Sequence, residues 1–268
     1  MPNNTMRIAI AGGTGLLGGH VASELRSRGH EVRVLSRRSP EYPADLTTGE
    51  GLERALRGCD AVVDATNAAK QAARTLVDGS RRLLAAEEAA GVGHHVGVSI
   101  VGCELLALGY FQVKARQERV IEQGPVPWSL VRATQFHELV AATFASADRW
   151  RVLPVPHAAL QTVASAEVAR VVADCAEGAP RLGRVQVAGP EVTDARDLAR
   201  TWRSVTGRRG LLIPVPLPGK LGRALRAGAL TAGRPDVLGT AAFGDWLRAE
   251  REQAPRSRDV QRRETAAR

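Results

Sequence analysis

Lysine is scarce in this chain. Lys70, Lys114 and Lys220 are the three lysines among 37 basic residues, and the rest are arginine. Aromatic residues make up 4% of the 268 positions. The arginines are scattered along the chain instead of gathered with aromatics on one helix, which argues against a nucleic-acid-binding face. The net charge of +9 then reads as a solvated surface that also draws in anionic ligands. Cysteine is rare and odd in number. Cys59, Cys103 and Cys175 lie far apart with no C-x-x-C spacing, so they read as buried thiols in a reducing compartment. No H-E-x-x-H or paired cysteine pattern occurs, and no metal site is expected. No apolar run approaches the roughly 18–20 residues that cross a bilayer, and the opening MPNNT lacks the basic and apolar regions of a secretory leader. These absences predict a cytoplasmic protein with no membrane partner. What remains, 44% hydrophobic and 24% charged residues, suits one large α/β core with room for a smaller lobe.

The organising stretch is Met6 to Gly19, MRIAIAGGTGLLGG. Ile8 and Ile10 alternate with Ala9 and Ala11 as in a short buried strand, and Leu16, Leu17, Val21 and Leu25 then recur at helical spacing. Between them lie glycines that fit both G-x-G-x-x-G (Gly13, Gly15, Gly18) and G-x-x-G-x-x-G (Gly12, Gly15, Gly18). Strand, glycine turn and helix in that order form the dinucleotide-binding fingerprint of a Rossmann-like unit. The candidate pyrophosphate loop comprises Gly12, Gly13, Thr14, Gly15, Leu16, Leu17 and Gly18. Its chemistry is that of backbone N–H groups and a helix dipole facing an anion.

A second strand, Glu31 to Arg37, follows the Arg28-Gly29 stop. An NAD-binding unit carries an acid at the end of this strand to hold the ribose 2′-hydroxyl. Ser36, Arg37 and Arg38 stand there instead. Without a carboxylate to repel it, a 2′-phosphate meets two guanidiniums able to grip it. The expected cofactor is therefore NADP (NADPH). Further strands over Asp60–Thr66, His95–Ile100 and Ser129–Ala133 alternate with helices near Leu52–Arg57, Gln71–Ala90 and Glu138–Ala147. That alternation predicts a doubly wound parallel sheet with helices on both faces. His94 and His95 are read as strand-edge residues.

After Ser99 comes Tyr110-Phe-Gln-Val-Lys114 at the start of a helix. Four residues apart, Tyr110 and Lys114 share a helix face near the carboxyl ends of the strands. An ammonium beside a phenol lowers its pKa and makes it a better proton donor, while Ser99 can donate a hydrogen bond to the same carbonyl oxygen. With two tyrosines and three lysines, chance supplies a Tyr-x-x-x-Lys only about 0.02 times, so coincidence explains it poorly. Gln135, Phe136 and His137 stand at the next strand-to-helix turn as candidate substrate contacts. Beyond Trp150 prolines break short strands, and Ser165 is placed to cap the helix AEVARVVADCAEG.

GGTGLLGG, LSRR, Asp45-Leu46, VSIVG, YFQVK and PWSLVRATQFHE together resemble the atypical short-chain dehydrogenases/reductases of the NmrA-like NAD(P)-binding group. The resemblance is strongest to about His137 and looser through GPEVTDARDLA and LLIPVPLPGKLGRALRAG. It implies NADP on the Gly12–Gly18 loop, Asp45 and Leu46 near the adenine, and Ser99, Tyr110 and Lys114 as a Ser-Tyr-Lys catalytic set, with Lys114 also holding the nicotinamide ribose.

The expected organisation is an NADP-binding Rossmann domain over residues 1–150 and a small C-terminal substrate lobe over 151–250, from which a strand is free to return to the core sheet. A polar, frayed tail occupies 251–268. The expected function is NADPH-dependent reduction of a small carbonyl or quinone-like substrate. The alternatives are a non-catalytic NADP(H) sensor that binds a protein partner, and a sugar-nucleotide epimerase-like enzyme. A homo-oligomer is left open.

Overall fold

A computed structural model describes residues 5–253. Its strands in chain order are β1 (Arg7–Ala11), β2 (Glu31–Leu35), β3 (Ala61–Asp64), β4 (His94–Ile100), β5 (Trp128–Ala133), β6 (Val152–Pro156), β7 (Ala159–Leu160), β8 (Arg184–Ala188), β9 (Thr193–Asp194), β10 (Leu211–Val215) and β11 (Val237–Leu238). The helices are α1 (Leu16–Ser27), α2 (Leu52–Leu56), α3 (Gly79–Ala90), α4 (Gly109–Glu122), α5 (His137–Asp148), α6 (Ser165–Glu177), α7 (Ala195–Thr206) and α8 (Gly219–Arg226). A last helix runs over residues 243–253.

Seven strands form one sheet in the order β11-β8-β5-β4-β3-β1-β2, with every pairing parallel. Chain order turns back at β1, which has β2 on one side and β3 on the other. Sheets of this kind bind ligands beyond the carboxyl ends of their strands, at such a switch. Residues alternate between the two faces, as the pleat requires. Ile8, Ile10, Val63 and Val131 pack with Val21, Leu25, Val168 and Val172 of α1 and α6. Ala9, Ala11 and Val62 pack with Leu52, Leu56 and Leu83 of α2 and α3 on the opposite face. The sheet is therefore doubly wound, as the alternation predicts.

Strands β8 and β11 come from the C-terminal half and still pair into this sheet. A separate apolar cluster gathers Phe144, Leu153, Val155, Leu198, Trp202 and Phe243, from elements following β5. Much of the expected tail lies outside the described residues, and residues 251–253 continue the last helix. The expected helix over Gln71–Ala90 begins in wider π-helical turns at Ala73–Asp78 before continuing as α3.

His94 and His95 are not edge residues. They open β4, which lies between β3 and β5, and both are buried. His95 Nδ1 lies 2.9 Å from Glu87 Oε1 of α3, and His94 Nε2 lies 2.9 Å from Ser129 Oγ of β5. Two polar rings are tolerated in the sheet interior because each has a partner from a neighbouring element. Cys59, Cys103 and Cys175 are buried free thiols. Burial pushes Cys59 up to about 11 and Cys103 up to about 12, so both stay protonated and unreactive. No helix among the described residues is long and apolar enough to cross a membrane, and no group of three side chains among them is placed to hold a metal ion.

Candidate functional site

The glycine turn leaves β1 at the switch point. Gly12 has φ +76°, a left-handed conformation that side chains resist. Gly18 has no room for one: a Cβ there would stand 2.3 Å from the Gly12 carbonyl oxygen. The turn is closed by the Gly15 N–H donating to Gly12 O at 2.9 Å. Helix α1 then begins with neither a side-chain cap nor an acid in its first turn. Thr14, Gly15 and Leu16 face solvent. Such an end, positive and lacking its own anion, fits a pyrophosphate. Gly18→Ala is expected to force the turn open and weaken dinucleotide binding by about 100-fold or more, measured by fluorescence titration. Binding within a few-fold of wild type would show that α1 can shift without loss.

At the end of β2, the Ser36 carbonyl accepts N–H bonds from Ser39 and Ala44, and its Oγ accepts one from Arg38 at 3.2 Å. These bonds fix the turn and leave Arg37 and Arg38 exposed. Asp45 Oδ1 accepts the Thr47 N–H and hydroxyl, each at 2.7 Å. Those bonds, helped by the charges of Arg37 and Arg74, hold the Asp45 carboxyl below its usual range. Arg74, from the π-helical turns, thus belongs to the same cationic corner, which sequence spacing does not show. Leu46 is buried and packs with the α2–α3 cluster.

The Tyr110 hydroxyl donates to Asn67 Oδ1 at 2.8 Å, so the first turn of α4 lies against the segment leaving β3. Lys114, one turn on, points elsewhere. Its Nζ donates to Val98 O at 2.7 Å and to Gln117 Oε1 at 2.6 Å. Gln117 Nε2 in turn donates to Asp64 Oδ2 at 3.0 Å, and Ser80 Oγ donates to the same oxygen at 2.8 Å. The pairing expected from the spacing is therefore corrected. Burial raises the Tyr110 pKa and no ammonium opposes it, while burial lowers that of Lys114. The physical reason is that Lys114 is 4% exposed, and a buried ammonium takes the nearest strong acceptors. Asn67, Gln117 and Asp64 escape sequence reading. Only Gln117, three residues after Lys114, carries a local signal.

Ser99, near the carboxyl end of β4, is buried, with Cys103 Sγ 4.0 Å from its Oγ. Arg132 pairs in register with Ser99 on β5. Its Nε donates to Glu118 Oε1 at 2.9 Å and its Nη2 to Oε2 at 2.5 Å, a bidentate pair that ties α4 to β5.

The turn after β5 behaves differently from expectation. Gln135 Nε2 donates to Leu230 O at 3.3 Å, and Phe136 packs against the α1–α6 core. His137 is 0% exposed. Its Nε2 lies 3.0 Å from Ala241 O, and its ring sits 5.5 Å from Phe243 and 5.3 Å from Trp246. An aromatic cluster from the end of the chain thus claims it and leaves it no face for a ligand. Ser165 does not cap α6 either. Glu138 does, accepting the Ser165 hydroxyl at 2.6 Å and its N–H at 3.2 Å.

A family model described as NAD(P)H-binding matches residues 12–179. The chain belongs to this family, as an atypical short-chain dehydrogenase/reductase of the NmrA-like group. Its cofactor is a nicotinamide dinucleotide. Over 267 residues it is 29% identical to the ceramide reductase of Caulobacter vibrioides, covering 87% of this chain and 81% of that one. In structure it is similar to the Escherichia coli NADPH-dependent quinone oxidoreductase QOR2 complexed with NADPH, with a TM-score of 0.73 at 18% identity, covering 90% and 98% of the two chains. It is also similar to the Thermus thermophilus UDP-glucose 4-epimerase complex with NAD, with a TM-score of 0.70 at 22% identity, covering 91% and 97%. Both structural likenesses concern the fold.

Proposed function

We propose that this protein is an NADPH-dependent oxidoreductase that reduces a small carbonyl or quinone-like substrate, with Tyr110 as proton donor. The observation that carries it is the Tyr110 hydroxyl at the carboxyl edge of the sheet, half-buried and held by Asn67, at the same edge as an anion-ready glycine turn. The family's cofactor and the reductase and quinone oxidoreductase among the similar proteins support the reading. The sensor alternative is not favoured, since it gives this phenol no task.

The Gly12–Gly18 turn would hold the pyrophosphate, Arg37 and Arg38 the ribose 2′-phosphate, and Asp45 and Leu46 would lie at the adenine end. When bound, the nicotinamide supplies a hydride that, with one proton, converts a carbonyl to an alcohol. Tyr110 gives that proton to the oxygen, and its raised pKa keeps the proton in place at neutral pH. Ser99 orients the carbonyl, its hydroxyl having only a weak sulfur neighbour. Lys114, buried, ties α4 to the end of β4 through its bonds to Val98 O and Gln117 Oε1 and so positions Tyr110, one turn away on the same helix.

Titration with both dinucleotides tests the cofactor assignment. NADPH is expected to bind at least about tenfold tighter than NADH, and Arg37→Ala with Arg38→Ala to erase most of that difference, the worth of one or two charge-assisted contacts. Equal affinities that the double variant leaves unchanged would remove the assignment.

A further inference from the structure

Strands β6 and β10 form a parallel two-stranded ribbon pairing Val152 with Leu211, Pro154 with Ile213 and Pro156 with Val215. The intervening Leu153, Val155 and Leu212 belong to the cluster around Trp202. By the pleat, the first six residues share the opposite face. A ribbon packed on one side ordinarily turns polar residues outward, yet all six are apolar. Leu211 is 65% exposed and Ile213 40%. At the ribbon's start the Leu211 N–H donates to Arg151 O at 2.9 Å, which sets Arg149, Trp150 and Arg151 beside Arg208 and Arg209. All five are exposed, Trp150 by 78%. Past the other end, Lys220, Arg223 and Arg226 of α8 are exposed too. The sequence holds no acid from Arg149 to Ala166, and six cations with no acid from Gly207 to Pro235. Asp148 is the carboxylate at the ribbon's start; it accepts the Gly210 N–H and lies 3.5 Å from Arg208.

We infer that this ribbon face docks on an anionic phospholipid surface. The apolar side chains enter the headgroup boundary, the arginines meet lipid phosphates, and Trp150 sits at the interface. Such contact lies on the bilayer and needs no spanning helix, so the absence of an apolar run does not bear on it. Other occupants fit less well. Prolines at 154, 156 and 214 remove the N–H groups that an added strand would use. Six side chains fall short of the roughly 20–30 residues a side in a stable protein interface. A two-fold contact between copies would set the cationic patch against itself.

The test is flotation of the full chain with vesicles of phosphatidylcholine alone and of phosphatidylcholine mixed with phosphatidylglycerol. Binding is expected on the mixed vesicles, at least about tenfold above the neutral ones, and it should fall with added salt. Leu211→Ser with Ile213→Ser is expected to lower it about tenfold with an unchanged urea midpoint. Arg151→Gln with Arg209→Gln should lower it as well, whereas Arg116→Gln with Arg119→Gln, on exposed α4 positions, should not. No binding at low salt would overturn the inference. So would equal loss from the α4 pair, indifference to the Leu211 and Ile213 changes, or self-association or capture of another protein through those residues without vesicle binding.

Discussion

Tyr110→Phe is expected to cut turnover about 10²–10⁴-fold, the scale of general acid catalysis, while NADPH affinity stays within about twofold because the pyrophosphate contacts lie elsewhere. The substitution keeps the ring, which meets Phe111 edge-on at 5.9 Å, and removes only the hydroxyl bonded to Asn67. The pH profile adds a second readout. Burial raises the Tyr110 pKa from 10, so the donor form persists through neutral pH and the rate should fall only as pH climbs beyond that value. A tyrosine activated by a neighbouring ammonium would lose its proton earlier and bend the profile at lower pH. Turnover of Tyr110→Phe within a few-fold of wild type would hand the proton to another group or to water.

The largest stability effect is expected at Glu118. Its carboxylate is 3% exposed and takes both prongs of Arg132, itself 10% exposed. Glu118→Ala would leave a buried guanidinium without its main counter-charge, at a cost of about 3–5 kcal/mol. That is a large part of the 5–15 kcal/mol that ordinarily separates folded from unfolded states. Glu104, 3.1 Å from Arg132, is too exposed to take over the role. Because the pair ties α4 to β5 beside Ser99, turnover should also fall at temperatures where the variant remains folded. Urea unfolding measures the first effect. A shift below about 1 kcal/mol would mean that the helix is held by its apolar contacts alone.

The sheet was legible because its signals are local. Ile8 and Ile10, the glycine turn and the helical spacing from Leu16 to Leu25 lie within twenty consecutive residues, and each has a conformational meaning without any partner. The pairing of β8 and β11 into the main sheet was legible only as an allowance, since nothing in Val237-Leu238 announces a strand. The site was legible as positions but not as contacts. Tyr110 and Lys114 do share α4, yet the ammonium's direction depends on Val98 and on Asp64, 53 residues from the Gln117 that links them. His137 shows the same limit: its surroundings, Phe243 and Trp246, come from the far end of the chain. Adjacent histidines at 94 and 95 read as strand-edge residues until Glu87 and Ser129 are seen to receive them.

Hydride transfer from NADPH can be followed by isotope transfer. The protein would be incubated with NADPH deuterated at the transferring position and a panel of quinones and small carbonyl compounds, and the products weighed by mass spectrometry. A carbonyl product heavier by one deuterium, or label lost from NADPH in step with quinone reduction, each abolished by Tyr110→Phe, is the expected result. Tight NADPH binding with no label leaving the dinucleotide for any acceptor would overturn the assignment and mark the protein as a binder of the cofactor rather than a user of it.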